Sequence, residues 1–162
     1  MNNQFFNVLD TTKEFLLRGP FTNTVTFGDV SDVDLAKKTI FPLAHLNVDN
    51  VTFNGPVAIV ELKIMVMDIV DTNNEESDEY DIFYGNDNSQ DILNNQMSVL
   101  QRLYTEIMRG ELRQAPFALE DEQLVAEPFK DRFKNTLAGW TSTISLVLPE
   151  GTSTTNSDGS EC

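Results

Sequence analysis

Side chains able to do chemistry are sparse in this sequence. His45 is its only histidine and Cys162 its only cysteine. A catalytic serine needs a base to take its proton. His45 is the one imidazole available, and no serine lies in a Gly-x-Ser-x-Gly elbow. One histidine and one cysteine cannot make a His/Cys metal set or an intrachain disulfide. His45 falls between Ala44 and Leu46 in a β-prone run, where it reads as an ordinary sheet residue. The eight glycines are scattered and match neither G-x-G-x-x-G nor G-x-x-x-x-G-K-[ST], so no phosphate cradle is expected.

Acidic residues offer two further constellations. From Asp71 onward, Asp71, Asn73, Glu75 and Ser77 imitate the alternating ligands of a calcium loop. Glu76 stands where such a loop needs glycine, and Ile82 where it needs a bidentate glutamate. A solvated loop is the better reading. Asp121 and Glu122 have the type for glycoside chemistry, but nothing in the sequence places them in a cleft. The expectation is a protein that is no enzyme and takes no cofactor and no metal.

The charge balance points the same way. With 26 acidic and 11 basic residues, the net charge is −15. Phosphate backbones attract Lys and Arg, so free affinity for nucleic acid should be poor, and an anionic membrane would repel the chain. Acidity confers solubility, or lets a protein sit beside DNA without sticking to it. The longest apolar run, around residues 64–67, is far short of the ~20 residues of a membrane span. The first residues, MNNQ, carry no basic charge ahead of an apolar core, so no signal peptide is expected. A single cysteine fits a reducing cytoplasm.

The elements that would carry these residues are legible in the periodicity. Residues 2–18 predict an amphipathic helix, with Phe5, Val8, Leu9, Thr12, Phe15 and Leu16 at helical spacing and Gly19-Pro20 as its stop. Residues 21–27 alternate like a half-buried strand. Two long strands follow at 41–53 and 57–70, joined at Asn54-Gly55, a strong hairpin signal that Pro56 makes less regular. In the second, Val60, Leu62, Ile64 and Val66 share one face; Glu61, Lys63, Met65 and Met67 share the other, which is left for a partner. Residues 89–109 predict the best helix, its stripe running through Leu93, Met97, Leu100, Tyr104 and Ile107 beside Ile92, Gln96, Val99 and Leu103. A last strand pair is predicted at 123–129 and 135–148. The chain therefore reads as one α+β domain over 1–150. It has about five mostly antiparallel strands, two helices packed on one face of the sheet, and a polar tail over 151–162.

Two polar segments, 28–40 and 71–88, connect strong elements and carry apolar residues in an acidic setting. Exposed in a monomer, such residues would be wasted; in an oligomer they are arms that anchor on a neighbour. The predicted subunit interface is Phe27, Val30, Val33, Leu35, Ile40, Phe41, Met65, Met67, Tyr80, Ile82, Phe83 and Tyr84. The alternative is a soluble monomeric module whose open sheet face holds a ligand or peptide.

Several stretches carry a family resemblance: FPLAHLNVDNVTFNG (41–55), MDIVD (67–71), GNDNSQDILNNQMSVLQRL (85–103) and AEPFKDRFKNTLAGWTSTISLVLP (126–149). With this element order, the chain resembles neck and tail-completion proteins of tailed bacteriophages, of the tail-terminator and head–tail joining type. It is similar to small structural proteins of phages infecting Bacteroidetes, including the crAss-like group. The resemblance implies a virion protein assembled in the host cytoplasm. It implies a homo-oligomeric ring of six or twelve copies between portal and tail, with DNA passing through unbound. Its motifs are structural and transfer no catalytic residue. An acidic lumen would agree, since it repels phosphates and favours passage over binding.

Overall fold

The computed structural model describes residues 4–70, 88–110, 112, 117–130 and 136–148. The first helix, α1 (Gln4–Leu17), buries Val8, Thr12, Phe15 and Leu16 on one stripe. It stops where Gly19 N–H reaches back to the Leu16 carbonyl at 3.2 Å and Pro20 cannot continue the ladder. The strands are β1 (Thr24–Phe27), β2 (Leu43–Asn54), β3 (Val57–Ile69), β4 (Ala118–Leu119), β5 (Ala126–Lys130) and β6 (Leu137–Leu148), with α2 (Ser89–Arg109) between β3 and β4. They form one sheet in the order β1-β2-β3-β6, with β4 and β5 sharing the outer edge of β6. β1 runs parallel to β2 and every other pair is antiparallel.

This is the expected α+β class, with one strand more than the periodicity indicates. The extra strand, β4, has only two residues, too few to alternate visibly. The hairpin turn also differs in detail. Asn54 and Val57 are still a strand pair, so the loop is Gly55-Pro56. Gly55 takes φ +60° there, a conformation that a Cβ disfavours.

Strand alternation divides the side chains between two faces. Ala44, Leu46, Val60, Leu62, Ile64, Val66, Ile144, Leu146 and Leu148 point to the first face. There they pack with Val8, Phe15 and Leu16 of α1 and Val99, Leu100, Leu103 and Ile107 of α2. Trp140 ties α2 to β6, its indole N–H donating to the Leu93 carbonyl at 2.7 Å. The stripe that α2 buries is Ile92, Gln96, Val99, Leu100, Leu103 and Ile107. It is rotated from the expected one, leaving Met97 46% exposed. Gln96 accounts for part of the rotation: its side-chain amide turns inward and donates to the Phe21 carbonyl at 3.3 Å.

The second face is where expectation and structure part. Leu43, Met65, Met67 and Leu137 lie on it, and Phe129 closes over them from β5. The segment from Gly28 to Pro42, between β1 and β2, folds back across this face through two short 3-10 turns, Val30–Asp32 and Lys38–Ile40. Phe41 is buried in this second cluster, and Val33, Leu35 and Ile40 pack against it.

Candidate interaction surface

The residues nominated as a subunit interface fall into three groups. Met65 and Met67 are buried on the second face, and Phe41 lies beside them. Val33, Leu35 and Ile40 are half-buried because they cover those methionines. Phe41, Met65 and Met67 thus belong to the chain's own core, and Val33, Leu35 and Ile40 pack against it with part of their surface still open. Both helices pack on the first face, so the second would meet water unless the chain covered it, and residues 28–42 do so. Val30 is half-buried, while Phe27 stays 56% exposed at the end of β1. Tyr80, Ile82, Phe83 and Tyr84 lie outside the described residues.

His45 is buried on the second face and both ring nitrogens are engaged. Nε2 lies 2.9 Å from the Gly28 carbonyl, which can only accept, so Nε2 carries the proton. Nδ1 lies 2.8 Å from Thr26 Oγ1 and accepts from its hydroxyl. Gly28 turns the chain out of β1 with φ +114°, which aims its carbonyl at the imidazole. Nearby Asp29 accepts from Ser31 N–H at 2.9 Å, and that bond holds its carboxyl below the usual value. Burial lowers the pKa of His45, opposed by the Gly28 bond and by Asp29.

This arrangement locks a neutral histidine and leaves no ring nitrogen for a substrate. It also predicts a pH effect. As pH falls below the unfolded value of about 6.5, the unfolded chain takes up a proton that the folded chain resists. Stability should therefore fall as pH drops from about 7 to about 5. Urea titrations across this range should show a shallower fall for His45→Gln than for the parent chain. Equal slopes would contradict the buried neutral state.

Two features of the surface remain without an internal role. The first is the far half of the β2–β3 hairpin. β1 pairs with β2 only from Leu43 to Leu46, and a bulge between Val48 and Asn50 follows. From residue 47 to 54 the outer edge of β2 has no strand partner among the described residues. On its first-face side Val51 is 39% and Phe53 79% exposed. An unpaired strand edge presents backbone donors and acceptors to another chain.

The second is a groove of about 300 Å³ where the end of α1 meets the middle of α2, lined by Phe15, Leu16, Pro20, Phe21, Val99 and Arg102. The Arg102 guanidinium lies 4.7 Å from the centre of the Phe15 ring. A side chain on Gly19 would crowd it, with Cβ 3.0 Å from Nη1. No carboxylate among the described residues pairs with Arg102. Neither surface was nominated from sequence, except for Phe27 beside the first. The exposed Phe53 and the Phe15–Arg102 juxtaposition depend on which neighbours the fold withholds.

Among the described residues, no three of His, Cys, Asp and Glu come together as a metal set, and no helix is long and apolar enough to cross a membrane. Comparison with protein-family models and with curated proteins returns no match.

Proposed function

We propose that the chain is a structural subunit of a tailed-bacteriophage neck, closing with copies of itself into a ring that joins portal to tail and encloses a channel for DNA. The observation that carries the assembly half of this reading is the projecting β2–β3 hairpin. Its edge over residues 47–54 has no strand partner among the described residues, and a phenylalanine near its tip is 79% exposed. An apolar ring held in water at a strand edge favours a partner strand. The phage half rests on the sequence resemblance, and the net charge of −15 suits a channel wall that must not retain DNA.

Heterologous contacts that close on themselves make rings, so the hairpin of one subunit would meet a different surface on the next. Native mass spectrometry and negative-stain microscopy of the purified chain test this directly. Rings of six or twelve are expected, and Phe53→Ser with Val51→Ser should shift the population to monomers without unfolding them. A chain that stays monomeric at every concentration, and is absent from purified virions, would sink the proposal. The groove beside Arg102 favours a second reading, a monomeric peptide- or ligand-binding module, which that monomeric outcome would support.

A further inference from the structure

Resting on the reading of this chain as a self-assembling subunit, we infer that the β2–β3 hairpin of one copy seats Phe53 in the groove between α1 and α2 of the next. Residues 49–56 are all exposed, and Phe53, at 79%, is the most exposed large apolar side chain among the described residues. Its nearest rivals are already engaged. Phe6 lies edge-on to Phe5, with ring centres 6.1 Å apart, and Val125 is fastened to β6 by the Ser142 hydroxyl, which donates to its carbonyl at 2.7 Å. The groove is the concave counterpart to this knob. Phe15, Leu16 and Val99 are buried and make its floor, and the more exposed Phe21 completes its lining. At about 300 Å³ it stands at the small end of binding pockets, which suits one aromatic side chain.

Where the fold puts knob and groove rules out a match within one chain and selects a second copy. Phe21 lies three residues before Thr24, which pairs with Leu43 at the start of β2. Phe53 lies ten residues beyond Leu43 on that strand, roughly 33 Å away at the rise of an extended chain. A contact that joins opposite ends of two copies is heterologous, and repeating it gives a closed ring or, without closure, an open filament. Charge agrees with this pairing. The groove segments 15–21 and 98–102 carry Arg18 and Arg102 and no acid, whereas hairpin residues 47–62 carry Asp49 and Glu61 and no base. Side chains stand out from the plane of a sheet, so docking of Phe53 leaves the backbone edge of residues 47–54 open to a further strand.

The test exploits the two unlike halves of the contact. In the full chain, Phe53→Ser removes the knob and Ser98→Trp fills the groove, and each should raise the concentration needed for assembly about tenfold or more. Mixed together, the two variants hold one working knob and one working groove between them. Native mass spectrometry should then show 1:1 heterodimers that grow no further. In parallel, Phe53→Cys on one chain and Phe21→Cys on another, both with Cys162→Ser, should form an interchain disulfide on mixing, which keeps the test decisive should Ser98→Trp unfold. Assembly indifferent to Ser98→Trp overturns the proposal. So does a Phe53→Cys chain that links only to itself, the mark of an edge-to-edge contact, or one that links to nothing. A parent chain that forms rings yet gives any of these results loses this contact alone. Heterodimers from a parent chain that makes open filaments keep the contact and lose the ring, and a parent chain monomeric at every concentration overturns both.

Discussion

Gly139→Ala is expected to lower folding stability by about 3 kcal/mol, the upper part of the range for forcing extra atoms into a packed interior. Gly139 pairs with Met67 across the β3–β6 ladder and with Phe129 on its other side. A Cβ built there would lie 1.9 Å from the Val66 carbonyl oxygen and 2.8 Å from the Met67 Cα. Those are backbone atoms of the neighbouring strand, so no rotamer change relieves the clash. The strands must part, and β3 and β6 form the longest antiparallel ladder in the sheet. Against a typical domain stability of ~5–15 kcal/mol, that loss is a large share. Urea denaturation would show it as a lower midpoint at unchanged slope. A loss below about 1 kcal/mol would mean that the strands already stand further apart than described.

Met67→Ala should cost a comparable amount, about 3 kcal/mol. Met67 is fully buried, between the sheet and the segment that crosses it. Truncation removes apolar area from the smaller of the two main cores, where Leu43, Phe129 and Leu137 can close the gap only in part. The result separates two roles for the methionine face. If Met67 met a neighbouring subunit, truncation would weaken assembly and spare the isolated fold. As core, it lowers stability equally at every protein concentration, which chemical denaturation at two well-separated concentrations measures. Because Met67 and Gly139 are direct cross-strand neighbours, the two substitutions should not add when combined.

How the sheet faces divide was readable from β3 alone, because Val60, Leu62, Ile64 and Val66 alternate with Glu61, Lys63, Met65 and Met67 at strand period. What covers each face was not. The segment over residues 28–42 is mostly polar and shows no period, so its sparse apolar residues look like a surface arm. Only the third dimension shows that Val33, Leu35, Ile40 and Phe41 lie over the methionines. The α2 stripe illustrates the same limit at finer scale. Helical spacing marks an apolar side within a few tens of degrees, but a buried Gln96 bonded to Phe21 turns the helix away from the arc that hydrophobicity alone selects.

By itself the sequence determined the α+β class, the two helices, the long hairpin and the poverty of catalytic groups, because periodicity, turn chemistry and residue counts are local properties. The tertiary structure alone decided that His45 is locked by Thr26 and Gly28, that the Met face is internal, that Phe53 projects, and that Arg102 stands over Phe15. Each of these is a statement about which distant residues meet or fail to meet. The physical reason is that burial and pairing depend on the whole packing arrangement, and one segment's residues carry no record of what the rest of the chain brings against them.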